Sequence, residues 1–419
     1  MQSSLPLLRS KLRAIVKANP WIAGSLAYDK GGLVIVHPSA DSASDAIADS
    51  LMHVAPEGLH ISPSMTSPQR LQQARRSGCF LPSGPAAVGK PAVEAPLARL
   101  VVAPCMQDGT PATDGADFVV LFMLSHAVAG GPTYYELYGM LSDSVPVVAL
   151  NPDRSPSHAA RQQVACMLSS RLRTCLKDSF SYNWSSWYRR MFLPATEVHT
   201  FLVDHDAIAT AKREVAAPHS SAHGADECAV QFVSTNDILC STFARMTNAR
   251  TLMLPMNLRG KVPGFEETLA GNYECAFIFD KSVCTTPATF RDNLLKFREC
   301  MARSVEKAQR GAGGGPQQQL LMPPSRMLPC LTDRYCFITN WASNHKDLVL
   351  PGCVEVLHTL MGDTEMLKKV MPHDMAVVFR ARPGQLGVTV LSKLHCKHDI
   401  LREMPLKEFA GGALVAPAA

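Results

Sequence analysis

Seven consecutive apolar residues, Phe118 to Leu124, run directly into Ser125-His126 and then into Gly130-Gly131-Pro132. A run this short, with polar residues at both ends, is the pattern of a strand covered on both faces, and predicts an interior position in a sheet. The glycines mark a turn, and Thr133 to Leu141 reads as a helix. Strand, glycine turn and helix in succession deliver His126 to the end of a sheet, where clefts open in folds of this kind.

The chain has 419 residues, more than one hydrophobic core usually serves, so two or three domains are expected. Its net charge of +5 is spread in ones and twos, which argues against a nucleic-acid stripe or a polybasic membrane anchor and leaves a phosphate-bearing small ligand compatible. No apolar run reaches the roughly eighteen residues of a membrane span, and nothing after Met1 has the pattern of a signal peptide. The 13 cysteines are odd in number, irregularly spaced and never form a CxxC pair, so a reduced intracellular protein is expected; the cytoplasm is the expected compartment, with an organelle left open, and a monomer the expected state. The densest metal-like cluster, His395-Cys396-Lys397-His398, lacks partners at ligand spacing, and no metal is expected.

Elsewhere, Leu5, Leu8, Leu12 and Ile15 recur at helical spacing and predict an amphipathic helix that stops at Asn19-Pro20. Leu33 to Val36 reads as a strand, and Ser62 to Pro96, rich in Pro, Gly, Ser and Ala, as largely loop. A second helix is predicted over about 158–177. The aromatic, polar stretch Ser179 to Pro194 reads as a connector, which divides the chain into a first lobe, 1–185, carrying the histidine, and a second, 186–419. In the second lobe Ser234-Thr235-Asn236-Asp237 is a capping-box-like helix start. Leu252 to Met256 reads as a strand and Pro287 to Gln309 as a long helix, ending in the glycine-rich link Gly311 to Pro316. Cys336 to Thr339, Met375 to Arg380 and Leu386 to Leu391 are further strands, and the end after Phe409 is expected to fray. Helices and strands mix without strict βαβ alternation, so the fold class is α/β of the mixed α+β kind, with a mixed sheet flanked by helices in each lobe.

Several of these segments, taken in order along nearly the whole chain, resemble the BAHD family of acyl-CoA-dependent acyltransferases, which share a superfamily with chloramphenicol acetyltransferase and with condensation domains. Leu124-Ser-His-Ala-Val-Ala-Gly-Gly131 is similar to the family's HxxxDG motif. Ser234-Thr-Asn-Asp237, Met256-Asn-Leu-Arg-Gly260 and Gly271-Asn272 resemble its S-x-x-D, N-x-R and G-N segments, and Phe337-Ile-Thr-Asn-Trp341 its T-S-W strand. Leu5 to Leu26, with Asn19-Pro-Trp-Ile-Ala-Gly24, is similar to its first helix and P-x-x-A-G turn.

The resemblance implies two chloramphenicol acetyltransferase-like lobes with a channel between them, no permanently bound cofactor, and acyl-CoA as co-substrate beside a small-molecule acceptor. A hydroxyl or amine attacks a thioester poorly while it keeps its proton, so a base is needed, and histidine suits the task. By resemblance that base is His126, reached past Ser125. The Thr339 hydroxyl would steady the negative charge that develops on the thioester oxygen, and the Trp341 indole N–H would line the same wall. The residues alone read equally as a strand threonine and a core aromatic. Asn257 and Asn272 fit turns or the lobe interface, Arg259 an ion pair or a solvated loop, and Ser234 and Asp237 a channel wall or, for the acid, a helix start.

Two departures stand out. Gly130 occupies the place of the motif aspartate, which leaves Arg259 seeking another acid, with Glu136 or Asp333 as candidates. Gly130 and Gly131 together predict a more flexible histidine loop. The family's late D-F-G-W-G motif is replaced by Leu348-Val-Leu-Pro-Gly-Cys353. The alternative is therefore a catalytically impaired relative that binds a ligand or partner in the old channel; a condensation catalyst acting on carrier-protein thioesters is a third reading.

Overall fold

The computed structural model describes residues 1–30, 32–82, 84–107, 110–111, 117–154, 180–216, 230, 232–262, 264–309, 334–360 and 372–409. The first helix, α1 (Leu5–Ala18), buries Leu8, Leu12, Ile15 and Val16, the face that the sequence spacing marks. It leads through Pro20–Ala23 into a hairpin of β1 (Ser25–Asp29) and β2 (Gly32–Val36). After α2 (Asp45–Ser50), β3 (Met52–Val54) lies parallel to β4 (Ala98–Pro104), and β7 (Phe118–Leu124) lies antiparallel to β4. The short β5 (Met106–Gln107) and β6 (Thr110–Pro111) pair beside them.

The apolar run is thus a strand, but among the described residues it lies at the edge of its sheet and not inside it. Its apolarity has a different cause. Phe118, Val120, Phe122 and Leu124 pack on the main core of this half, whereas Val119, Leu121 and Met123 pack on a second, smaller core with Leu59, Ile61 and Cys79. Successive side chains face opposite ways, so an edge strand between two cores needs apolar residues at every position.

Stretch 62–96 also differs from the loop expected there. It holds α3 (Ser67–Arg76), started by a capping box in which Gln69 accepts from the Thr66 backbone N–H over 2.8 Å, and the single turn α4 (Gly84–Ala87). Thr66-x-x-Gln69 is the signal that the surrounding prolines and serines mask. Helix α5 (Gly131–Gly139) follows the histidine loop as expected.

The proposed connector Ser179 to Pro194 is instead mostly helix, α6 (Phe180–Phe192). Ser185, Ser186 and Arg189 are buried on it, and Trp184, Trp187, Met191 and Phe192 are exposed, an inverted polarity that hides helical periodicity from a hydrophobic pattern. The helix expected over 158–177, the link 311–316 and the end after Phe409 lie outside the described residues.

The second sheet has seven strands in the order β10-β9-β11-β12-β13-β8-β14. These are β8 (Glu197–Val203), β9 (Thr251–Asn257), β10 (Glu274–Asp280), β11 (Tyr335–Asn340), β12 (Asp374–Arg382), β13 (Gln385–Ser392) and β14 (Leu406–Glu408). β11 runs parallel to both neighbours and the remaining pairs are antiparallel. Helices α7 (His205–Ala216), α8 (Thr235–Met246), α9 (Pro287–Gln309) and α10 (Lys397–Glu403) accompany it. Phe243 and Phe290 from α8 and α9 are fully buried against Phe277, Phe279, Ile338 and Val378 of the strands. β8, β10, β14, α7 and α10 have no counterpart among the segments read from the sequence.

Two features of this sheet position the site. β9 and β11 are joined only from Tyr335↔Thr251 to Phe337↔Met253; beyond that rung β9 continues on β10 alone and β11 on β12 alone. The ends that carry Asn257 and Thr339 therefore part. The chain beyond β11 then crosses to the first half, where Trp341, Leu348, Leu350 and Cys353 pack on the core built around α1 and α5.

Candidate active site

His126 lies two residues past the end of β7 and is exposed. Its loop is fixed by its backbone. Ser125 N–H donates to the Leu97 carbonyl over 2.7 Å and Val128 N–H to the Ser125 carbonyl over 3.1 Å, closing a tight turn with the histidine at its head. The His126 carbonyl accepts from Asn272 Nδ2 at 2.8 Å, the Val128 carbonyl accepts from the Arg154 guanidinium, and Gly130 N–H donates to the Gly271 carbonyl at 3.2 Å. Gly271 and Asn272 immediately precede β10, so the second sheet's connections hold the histidine turn in place. Gly271 has φ +151°, and a side chain there would run into the Arg154 guanidinium, which gives the Gly-Asn pair its geometric reason.

Arg259 is the centre of this arrangement, and neither an ion pair nor a solvated loop describes it. It is buried, with Nε donating to the Leu269 carbonyl at 2.6 Å, Nη1 to Asn257 Oδ1 at 3.1 Å, and Nη2 to Thr133 Oγ1 at 2.9 Å and to the Gly271 carbonyl. The guanidinium also stands over the Tyr273 ring, 4.7 Å from its centroid. Glu136, offered above as a replacement acid, is taken by Lys346 at 2.6 Å, and Asp333 lies outside the described residues. Carbonyls, an amide and a hydroxyl satisfy the planar donor fork without a carboxylate. Burial without a contacting acid pushes the Arg259 pKa down to about 10, which still leaves it charged at neutral pH.

The two glycines do not loosen the loop. Gly130 has an extended backbone, φ −88° and ψ 178°, that any residue can adopt. A Cβ there would lie 2.7 Å from Asn272 Oδ1 and 3.2 Å from Glu274 Oε1. A Cβ on Gly131 would lie 3.1 Å from Cε2 and Nε1 of the Trp341 indole. Both glycines are buried and serve close approach, so the expected flexibility is replaced by packing.

Trp341, half-buried, thus lies against the start of α5, five residues beyond His126, with its backbone N–H on the Val378 carbonyl at 2.8 Å. Its ring also meets Tyr135 edge-on at 6.5 Å. Thr339 is buried, in register with Val377 of β12, and faces away from Cys336 and Ile338, which enter the second core. Between them Asn340 ties this strand end to α8: its Nδ2 donates to Asn236 Oδ1 at 2.9 Å, and its Oδ1 accepts from Ala342 N–H at 3.0 Å. Ser234 and Asp237 form the closed capping box of α8. Asp237 Oδ2 accepts from Ser234 N–H and Oγ, each at 2.7 Å, and Arg291 approaches the same oxygen at 3.5 Å. The carboxylate is fully buried in these structural contacts.

Residue-by-residue reading missed Thr133. Its hydroxyl accepts from Arg259 and from Gly271 N–H at 3.0 Å, and so joins α5 to the second sheet's loop. The signal available was its place three residues after Gly130, a helix start whose first residue has no side chain to cap it.

No protein-family model matches the sequence, and no curated protein matches it. Solved structures do. TRI101 of F. graminearum, in complex with coenzyme A and deoxynivalenol, is 13% identical with a TM-score of 0.51, over 96% of this chain and 90% of that one. TRI101 of F. sporotrichioides, in complex with coenzyme A and T-2, is 14% identical with a TM-score of 0.50, over 95% and 88%. The first condensation domain of the CDA synthetase gives 13% identity and a TM-score of 0.47 over 99% and 88%. The chain accordingly has the mixed α/β fold, sheets flanked by helices, of the two TRI101 structures.

Proposed function

We propose that this chain is an acyltransferase that moves an acyl group from acyl-CoA to a hydroxyl or amine of a small-molecule acceptor, with His126 as general base. The observation that carries the reading is the pairing of an exposed histidine with a rigidly held backbone: Asn272 grips the His126 carbonyl, and Trp341 packs where α5 begins. A histidine kept only for packing would be expected inside a core.

In the proposed step the acceptor oxygen or nitrogen attacks the thioester carbonyl while His126 takes its proton. The tetrahedral adduct then expels the CoA thiolate, which recovers that proton from the imidazolium. The Thr339 hydroxyl and the Trp341 indole N–H are the proposed donors to the oxyanion; one such donor lowers a barrier by about 2.7–4 kcal/mol in comparable sites. Asn257, Arg259, Asn272 and the two glycines position the loop, and Ser125, with the α8 start at Ser234, borders the proposed channel between lobes 1–185 and 186–419, while the buried Asp237 holds that helix start. The CoA bound in both TRI101 structures supports acyl-CoA as the donor. The protein is taken to act as a cytoplasmic monomer.

A panel of acyl-CoA thioesters, with cell extract as the source of acceptor, tests this through release of free CoA thiol and mass spectrometry of acylated products. Thiol release coupled to a new acylated species is expected. The replacement of the motif aspartate by Gly130 favours the second reading, a ligand-binding relative without catalysis, and that reading predicts binding of a thioester that remains intact.

A further inference from the structure

The segment that follows Trp341 gathers three metal-ligating side chains that the proposed acyl transfer does not use. His345 is almost fully buried, its side chain 1% exposed, in an aromatic box with ring centroids 4.5 Å from His358 and 5.5 Å from Tyr135. Its Nδ1 is buried and makes no hydrogen bond. Its Nε2 points at two carboxylates, 3.3 Å from Asp347 Oδ1 and 3.7 Å from Glu355 Oε1. One ligand atom from each of the three residues lies within 4.8 Å of the other two.

The geometry points to a site for one divalent transition-metal ion of the zinc class, bound by His345 Nε2, Asp347 and Glu355. Zinc bonds to nitrogen and carboxylate oxygen are about 2.0–2.2 Å long, and neighbouring ligands of a tetrahedral ion with such bonds are then about 3.3–3.6 Å apart. The observed His–Asp and His–Glu separations are close to that edge length. One neutral imidazole with two carboxylates balances a 2+ charge and leaves the fourth position to water.

Each of the two carboxylates is held by its second oxygen, as ligating carboxylates usually are. Glu355 Oε2 accepts from Leu348 N–H at 2.9 Å, and Asp347 Oδ2 lies 3.7 Å from the Arg380 guanidinium.

The position gives the ion a purpose. Residues 345–355 enclose Leu348-Val-Leu-Pro-Gly-Cys353, and this loop is already tied to the end of α5. Ser142 Oγ donates to the Asp347 carbonyl and accepts from Val349 N–H, each at 3.0 Å. A metal between Asp347 and Glu355 would close the loop at its base and pin the crossover from β11 to the first core. The site is independent of whether acyl transfer occurs.

The test is calorimetric titration of zinc chloride into the chelator-stripped full chain, beside Glu355→Gln and the more exposed Asp347→Asn, with thermal melts of all three. The wild type is expected to bind one equivalent at least tenfold more tightly than either variant and to gain melting temperature with zinc, while the variants melt near the stripped wild type and gain little. Cobalt(II) should give visible d–d absorption in the wild type alone. Absence of binding overturns the assignment, and so does equal affinity in all three proteins, since zinc would then sit elsewhere, for instance at His395 and His398.

Discussion

The Arg259 guanidinium donates to the Thr133 hydroxyl over 2.9 Å, and through that contact a loop of the second sheet reaches the helix that follows His126. The same hydroxyl accepts from Gly271 N–H at 3.0 Å. Thr133→Val keeps the shape and deletes the oxygen, leaving two buried donors with one partner fewer. Stability is expected to fall by about 1–3 kcal/mol, measured by urea denaturation, and Thr133→Ser to restore most of it.

With Arg259 already satisfied, restoring an acid at Gly130 brings a cost. The new Cβ would press on Asn272 Oδ1 at 2.7 Å, and the carboxylate would enter beside Glu274. Gly130→Asp is therefore expected to lower the melting temperature. A rise would mean that Arg259 turns to the new acid in preference to its carbonyls.

At Gly131 the conflict is with the Trp341 indole, 3.1 Å from an added Cβ. Gly131→Ala should displace that ring and destabilise by about 1–3 kcal/mol, as overpacking generally does. The change should also appear in tryptophan fluorescence.

Ser234→Ala removes the side-chain half of the α8 capping box and is expected to cost about 1 kcal/mol, read from denaturant midpoints. If Ser234 acts only by starting the helix, the KM for acyl-CoA will not move.

His373 gives a pH signature. Burial, with Arg189 and Arg190 nearby, pushes its pKa down to about 3 from the ordinary 6.5. Between those values the unfolded chain holds a proton on this residue that the folded chain lacks. Stability should therefore fall as pH drops below about 6.5, by up to about 1.4 kcal/mol per unit from this group, and the loss should end near pH 3. His373→Gln should flatten the slope; an unchanged slope would contradict the assignment.

Local, periodic signals survived the passage from sequence to structure, and signals that depend on a distant partner did not. The α1 face at Leu8, Leu12 and Ile15, the α8 cap and the 23 residues of α9 each rest on neighbours a few positions away. β7 was legible as a strand, but its edge position depends on β4 and on a second core built from 59–81, which no local pattern encodes. Helix α6 was read as a connector because its buried residues are serines and an arginine. At the site, the place of His126 at a strand end was legible. The role of Arg259 was not, since its partners Thr133, Leu269 and Gly271 are common residues whose relevant atoms are mostly backbone carbonyls. His345, Asp347 and Glu355 have no recognisable spacing and meet only because the crossover loop folds back on itself.

The central claim is that His126 removes the acceptor's proton. It is tested most directly by single-turnover thiol release from a turned-over acyl-CoA, with and without acceptor, in the wild type and in His126→Ala. The account predicts that His126→Ala folds with an unchanged melting temperature, still binds acyl-CoA and loses at least a hundredfold in rate, in keeping with the usual contribution of a general base of about 10²–10⁴. Equal rates in the two proteins would contradict it.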